Sequence, residues 1–308
     1  MIVVFGSINA DLVANVATLP REGETQLARG FAIHAGGKGA NQALAARRAG
    51  ADVALAGAVG RDDFAQGALA LLRAENVDLS RVAALEDATG LALIHVDDAG
   101  RNAITVVPGA NARVRADAVE DRVLDGSATV VMQLEVPLPE VTVLARRAKE
   151  RGARVVLNAA PPVPLPDSLL DDVDVLVVNE HEAAEIARAT NLPDAPEAFC
   201  AAAADRWSLA AVVTLGSAGL VAADPGCHYR LPACRVGVVD TTAAGDSFVG
   251  AFAAALDRGA SMREGLADGS AAGAHACTGR GAQPSIGPRS AWRDAARALA
   301  AQAGSGPR

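Results

Sequence analysis

The sequence predicts an α/β protein, in which short buried strands alternate with helices along most of its 308 residues. Three observations carry that expectation. Short apolar runs closed by glycine or a polar residue recur between stretches with helical periodicity. Two pairs of alternating strands interrupt this rhythm and read as a small β-sheet lid. Two glycine-bearing turns, in Ala35–Ala43 and Val239–Val249, each open into an alanine-rich helix.

Taken in order, Ile2–Phe5 reads as a buried strand closed by Gly6. Leu12–Val16 and Thr25–Ile33 alternate around a Pro20–Gly23 turn, and Leu91–Val96 and Ala103–Val107 form a hairpin around Asp97–Gly100. The α/β rhythm predicts strands at Val53–Val59, Ala128–Leu134, Arg154–Leu157, Val173–Val178 and Ala211–Leu215. Helices are expected at Ala43–Arg48, Asp63–Glu75, Ala116–Leu124, Glu140–Arg151 and Phe248–Leu256. No linker or repeat divides the chain, so residues 1–308 read as one domain, with a lid at about 10–35 and 90–108. Gly304–Arg308 is expected to fray.

The composition excludes several function classes. A hydrophobic content of 51% excludes general disorder, and a net charge of −8 argues against nucleic acid or an anionic membrane as partner. No apolar run approaches the ~18 residues of a membrane span, and no basic segment precedes the first strand as in a signal peptide. The four cysteines show no Cys-x-x-Cys pairing, which fits reduced thiols in the cytoplasm.

The chemistry concentrates in Val239–Val249. The turn ends at a helix start, where unpaired backbone N–H groups and the helix dipole make an anion site suited to phosphate. Gly245 keeps a Cβ out of the way. Asp246 follows in the first turn. Beside a bound phosphate its charge is repelled, so its useful role is to take a proton from an attacking hydroxyl. Asp246 and Ser247 also read as plain helix caps.

Only two of the 28 basic residues are lysines, Lys38 and Lys149, so the chain writes arginine nearly everywhere. A lysine inside the cluster Gly36-Gly37-Lys38-Gly39 marks a place where a guanidinium fork does not fit. The cluster is neither a Walker A loop nor Gly-x-Gly-x-x-Gly, since Ala32 and Gln42 occupy required glycine positions. Asn9 and Asp11 follow the first strand, where open α/β sheets bind ligands, and amide plus carboxylate suit a polyol. A plain Asx turn is the alternative there.

Together these strings resemble the ribokinase-like sugar kinase family over nearly the whole chain. They are Gly-Ser-x-Asn-x-Asp early, Gly-Gly-Lys-Gly-Ala-Asn-Gln next, Asn-x-x-Glu midway and Asp-Thr-x-x-Ala-Gly-Asp late. The resemblance implies a three-layer fold, with a mostly parallel central sheet, helices on both faces and a β lid. It implies ATP-dependent phosphorylation of D-ribose at its 5-hydroxyl. Asp246 would be the general base, the amides of Ala244, Gly245 and Asp246 would form the anion hole, and Ala243 would belong to the same catalytic turn. Asn9, Asp11, Gly37, Lys38, Asn41 and Glu135 would hold the sugar, and Asn111 would line the site.

Asn179 and Glu182 would organise Mg²⁺, although the pair also reads as simple complementing of a helix dipole. Thr214, Gly216, Ser217 and Gly219 would contact ATP, or form an ordinary hairpin turn. Asp240, Thr242, Ala276, Gly279, Gly281 and Ser285 would hold an activating monovalent cation, K⁺. Lids from two subunits would pair as a homodimer. The stretch Asp268–Gly273 departs from the family, being more polar and glycine-rich than its alanine run. Deoxyribose, fructose or adenosine kinases are rival readings, as is a catalytically silent sugar or nucleotide sensor. A Rossmann dehydrogenase fails, because no Gly-x-Gly-x-x-Gly follows the first strand.

Overall fold

A computed structural model describes residues 1–302 and 304–307. The chain opens with β1 (Ile2–Phe5), then enters a separate small sheet as β2 (Asn9–Asn15) and β3 (Gly30–Gly36). Next come α1 (Lys38–Arg48), β4 (Val53–Gly60), α2 (Asp63–Ala74) and β5 (Asp78–Leu85). β6 (Gly90–Val96) and β7 (Asn102–Val107) return to the small sheet. β8 (Thr129–Met132), α3 (Leu138–Glu150), β9 (Arg154–Asn158), α4 (Asp167–Leu170) and β10 (Val175–Asn179) follow. Then come α5 (Glu180–Thr190), α6 (Pro196–Trp207), β11 (Ala210–Thr214), β12 (Leu220–Ala223) and β13 (Cys227–Leu231). α7 (Ala244–Asp257), α8 (Met262–Ala276), α9 (Arg289–Gln302) and β14 (Gly304–Pro307) end the described chain.

The large sheet runs β14-β13-β12-β11-β10-β9-β8-β1-β4-β5, and its strands from β11 to β5 are parallel. Successive residues of β1 divide between two cores. Ile2 and Val4 pack with α1, α2, α7, α8 and α9, whereas Val3 and Phe5 pack with α3, α5 and α6. That is the period-two alternation of a strand buried on both faces, and it yields three layers. Strand order reverses beside β1, which lies between β8 and β4. Open parallel sheets bind ligands at such a reversal, outside the carboxyl ends of the strands.

The small sheet runs β3-β2-β6-β7. Its register pairs Leu12 with Ile33 and Leu93, and Ala14 with Phe31, so these side chains share one face. Asp11 lies on the opposite face, paired with His34 and Ala92.

Several expectations are corrected. Ala116–Leu124 is not an α-helix but two short 3₁₀ turns, Ala116–Ala118 and Asp121–Val123, tied to α3 by the Arg147 guanidinium on the Ala116 and Val119 carbonyls. The strand expected at Thr25–Ile33 starts only at Gly30 and continues to Gly36. α1 begins at Lys38, five residues before the expected Ala43. Gly304–Pro307 pairs with β13 rather than fraying, and Arg308 lies outside the described residues. The polar stretch in α8 has a packing reason. A Cβ on Gly269 would stand 2.9 Å from the Phe248 ring, and one on Gly273 the same distance from the Ala244 carbonyl. Asp268 is neutralised by Arg258, just past the end of α7, and by Arg289 at the start of α9.

Candidate active site

The site grows from three element junctions at the carboxyl edge of the sheet. The first is the β3–α1 turn. Gly37 has φ 89°, and a Cβ there would stand 2.7 Å from the Asn9 amide nitrogen. A Cβ on Gly39 would lie 2.6 Å from the Gly6 carbonyl carbon, so only glycines let α1 start against the end of β1. Lys38 thereby becomes the first residue of a helix with no acidic residue in its first turn. A cation there opposes the helix dipole, so its role is not helix stability. Burial works against its charge. Asp246, Glu135 and Glu182 outweigh that and hold its pKa above the ordinary lysine value.

The second junction joins the end of β8 to the start of β2. Ser7 donates its hydroxyl to Glu135 at 2.5 Å, and the Lys38 amide donates to the same oxygen at 3.2 Å. Asn111, after β7, clamps this region. Its Oδ1 accepts from the Ile8 amide at 2.9 Å, and its Nδ2 donates to Asn9 Oδ1 at 2.7 Å. Asn9 is thus fixed with its own Nδ2 turned away from that bond. Asp11 stands on the sheet face beyond, its pKa pushed up to about 7 by burial and by the charges of Glu135 and Asp246.

The third junction is the turn before α7. Ala243 adopts a left-handed conformation, φ 59°, and α7 starts immediately after it with no side-chain cap. Among the described residues the amides of Gly245 and Asp246 have no partner, whereas Ala244 donates to the Thr241 carbonyl at 3.2 Å. The three-amide anion hole therefore reduces to two free donors. A Cβ on Gly245 would meet nothing within 4 Å, and its φ is not positive. Neither packing nor backbone geometry requires glycine there. Asp246 itself is buried at 7% exposure. Its Oδ2 accepts from Asn41 Nδ2 and its Oδ1 from Gln42 Nε2, each at 2.9 Å. Asn41 Oδ1 is buried without a partner.

A family model described as pfkB family carbohydrate kinase matches residues 1–288. The chain belongs to the pfkB family of carbohydrate kinases. Among the relatives of this pfkB kinase, a ribokinase from Haemophilus influenzae is 37% identical over 288 residues, covering 92% of this chain and 94% of its own. A deoxyribokinase from Salmonella typhi is 32% identical over 294 residues, covering 92% and 94%. The structure of Arabidopsis thaliana ribokinase complexed with ribose and ATP matches with a TM-score of 0.86 at 31% identity, covering 96% of this chain and 98% of that one. The ribokinase-like fold expected from the sequence is the fold observed.

The remaining candidate residues of the kinase lie farther along the same edge. Asn179 and Glu182 form a reciprocal capping box on α5, with Asn179 Oδ1 accepting from the Glu182 amide and Glu182 Oε2 from the Asn179 amide, both at 2.8 Å. Burial raises the Glu182 pKa. The Thr214–Gly219 turn does join β11 to β12 as an antiparallel hairpin, closed by the Leu215 amide on the Gly219 carbonyl at 2.8 Å. It sits three strands from β8, about 14 Å at ~4.8 Å per strand.

Asp240 staples the turn before α7 to the loop after α8. Its Oδ1 accepts from the Thr242 amide at 2.9 Å and hydroxyl at 2.6 Å, and its Oδ2 from the Gly281 amide at 2.9 Å. Burial pushes its pKa up, but these donors prevail and lower it. A Cβ on Gly279 would stand 3.1 Å from the Ser285 Cβ, so that loop is tightly folded. Ala276 is buried, and its carbonyl accepts the Gly279 amide at 3.2 Å. Among the described residues no cluster of three His, Cys, Asp or Glu side chains stands ready for a metal, and no helix is long and apolar enough to cross a membrane.

Sequence reasoning missed Ser7 as the partner of Glu135, and gave Gln42, Gln133 and Asn158 no role in the site. Gln42 adjoins Asn41 in a string whose conspicuous feature is its glycines. Gln133 and Asn158 carried one signal, a polar residue at or just past the end of a buried strand.

Proposed function

We propose that this kinase phosphorylates D-ribose at O5 with ATP. The observation that carries the reading is the Asp246 carboxylate, buried at the start of α7 beside the free Gly245 and Asp246 amides and held by Asn41 and Gln42. A base and an anion-binding turn adjacent in one helical turn suit in-line transfer to a hydroxyl. The ribokinase names of the relatives and the ribose and ATP in the Arabidopsis complex support the substrates.

In this reading the sugar lies between the β1, β8 and α1 junctions and the inner face of the small sheet. Asp11, Asn9, Lys38 and Glu135 bind its hydroxyls, and the buried Asn41 Oδ1 accepts one more. Asp246 takes the proton of the 5-hydroxyl as its oxygen attacks the γ-phosphorus and the bond to the bridging oxygen breaks, releasing ADP. The Gly245 and Asp246 amides receive the charge of the transferring group, with Ala243 and Ala244 shaping the turn. The Thr214–Gly219 turn, with Gly216 and Ser217, takes the nucleotide.

Glu182 Oε1 makes no bond within the described chain, which fits an oxygen that reaches Mg²⁺ through water, with Asn179 beside it. Asp240 and the folded 279–285 loop, with Thr242, Ala276, Gly279, Gly281 and Ser285, fit a monovalent cation held by carboxylate and carbonyl oxygens. When bound, Mg²⁺ neutralises phosphate charge and K⁺ steadies the turn before α7. The small sheet exposes Phe31 at 61% and Ile33 at 53% on its outer face, and we assign a second subunit to that surface. Phe31→Glu should then give a monomer in sedimentation velocity. An unchanged sedimentation coefficient removes the lid interface. We place the enzyme in the cytoplasm, where its four free cysteines remain reduced.

Deoxyribose is the second reading, because a relative of nearly equal coverage is a deoxyribokinase. ADP release from Mg·ATP with K⁺ tests both, comparing D-ribose, 2-deoxyribose, fructose and adenosine. Release specific to ribose is expected. Release with another of the four moves the substrate to that compound, and release with none leaves the fold standing and brings the silent-sensor reading forward.

A further inference from the structure

Behind Asp246 lies a chain of buried amides that no role in sugar or nucleotide binding explains. Gln42 and Gln133 are fully buried and Asn158 is 8% exposed. Asn158 Nδ2 donates to the Val177 carbonyl at 3.1 Å, and Asn158 Oδ1 accepts from Gln42 Nε2 at 3.0 Å. The second hydrogen of Gln42 Nε2 goes to Asp246 Oδ1, and Gln42 Oε1 accepts from Gln133 Nε2 at 2.6 Å. Four elements meet through these side chains: α1, β9, α7 and the end of β8.

The chain has a direction, and its far end sets it. A backbone carbonyl can only accept. Asn158 must therefore turn its Nδ2 to Val177 and its Oδ1 to Gln42. Gln42 must answer with its NH₂ group, so Asp246 faces a donor and never the Gln42 oxygen. Gln133 closes the other side by presenting its own NH₂ to Gln42 Oε1. A flipped Gln42 would set an oxygen against the carboxylate and leave buried groups unpaired, which is costly in an interior of low dielectric.

We propose that Gln42, oriented by Asn158 and Gln133 from the Val177 carbonyl, is a positioning residue that holds the Asp246 carboxylate in its reactive rotamer. Asn41 restrains one oxygen from the sugar side and Gln42 the other from the core. Each oxygen keeps a lone pair for the hydroxyl. This inference rests on Asp246 being the base. Misplacement of a reacting group by about 1 Å costs up to ~100-fold in rate, so the chain acts on kcat and not on sugar binding.

The test compares Gln42→Met, Gln42→Glu and Gln133→Met with Asp246→Asn in the full-length enzyme. Gln42→Met keeps length without donors, and Gln42→Glu keeps shape while replacing the donors to Asp246 by an oxygen. Both should lower kcat about 10- to 100-fold with sugar and ATP KM within about threefold, and Gln133→Met should lower it less. A simple packing role predicts a loss in Gln42→Met alone, with the isosteric Gln42→Glu near wild type. Gln42→Glu with wild-type kcat, or a loss confined to KM, overturns the proposal. If the Gln42 variants do not melt cooperatively, Asn158→Leu, which leaves α1 intact, carries the same readout. Asp246→Asn separates the two ideas. Normal turnover there removes the base and the chain together. An inactive Asp246→Asn beside normal Gln42 variants removes the chain alone.

Discussion

Asn41 Nδ2 donates to Asp246 Oδ2 at 2.9 Å while its own Oδ1 is buried with no partner. One amide thus ties the start of α1 to the start of α7 and keeps an acceptor in reserve. A buried acceptor left empty costs free energy, so the site is built for a ligand that donates there. A sugar hydroxyl fits. Asp246→Asn should leave sugar affinity, measured by calorimetry, within about threefold, while kcat falls by about 10²–10⁴ through loss of general base catalysis. Turnover near the wild-type rate would exclude Asp246 as the base.

Gly245 offers a second, sharper test, because nothing within the chain requires it. A Cβ would find open space, and φ is not positive. Gly245→Ala should therefore leave the melting temperature unchanged or slightly raised, since alanine favours a helix by up to ~1 kcal/mol over glycine. Activity should respond oppositely. Crowding the phosphoryl position should push the transferring group off the Gly245 and Asp246 amides and cost on the order of 10²–10³ in kcat, as much as removing one anion-hole donor. A Gly245→Ala enzyme with full kcat would mean that the transferring group does not approach this turn.

Asp11 predicts a pH dependence. Its pKa of about 7 in the folded protein stands well above the 3.8 of an ordinary aspartate. The folded state therefore binds the extra proton between these values, and stability falls as pH rises through that window. Above the folded value the full penalty is present. Asp11→Asn should accordingly melt higher than wild type at pH 8, with the difference shrinking towards pH 4. Sugar binding should move the other way. The ionised carboxylate offers more acceptors to hydroxyl donors, so sugar KM should fall as pH rises through about 7. A KM that is flat from pH 6 to 8 would remove Asp11 from sugar recognition.

What the sequence made legible divides along a physical line. Motifs whose chemistry is local, such as the glycines at Gly37 and Gly39 or the turn before α7, could be read because the backbone must bend there. The fold class followed from buried runs alternating with helices. Long-range amide pairings could not be read. Gln42 and Asn158 are 116 residues apart, and neither neighbourhood hints that they touch. The capping box at Asn179 and Glu182 shows the opposite limit, since a helix-cap pattern and a metal-organising pattern use the same residues at the same spacing. Ala116–Leu124 forms no α-helix, although apolar residues recur along it. They are anchors of short turns packed under α3.

The Asp240 staple gives the last prediction. Asp240 holds Thr242 with one oxygen and Gly281 with the other, so the turn before α7 and the loop after α8 move as one body. An ion seated against that loop would stiffen the turn that presents the Gly245 and Asp246 amides. Exchanging Na⁺ for K⁺ at constant ionic strength should raise kcat, and K⁺ should raise the melting temperature by binding only the folded state. Asp240→Ala should abolish both responses and lower kcat even at saturating K⁺, because Thr242 and Gly281 lose their common anchor. Titrating KCl against NaCl in thermal melts and in ADP-release assays checks the two effects separately. Equal melting and equal rates in both salts would remove the cation from this loop and leave Asp240 a structural staple.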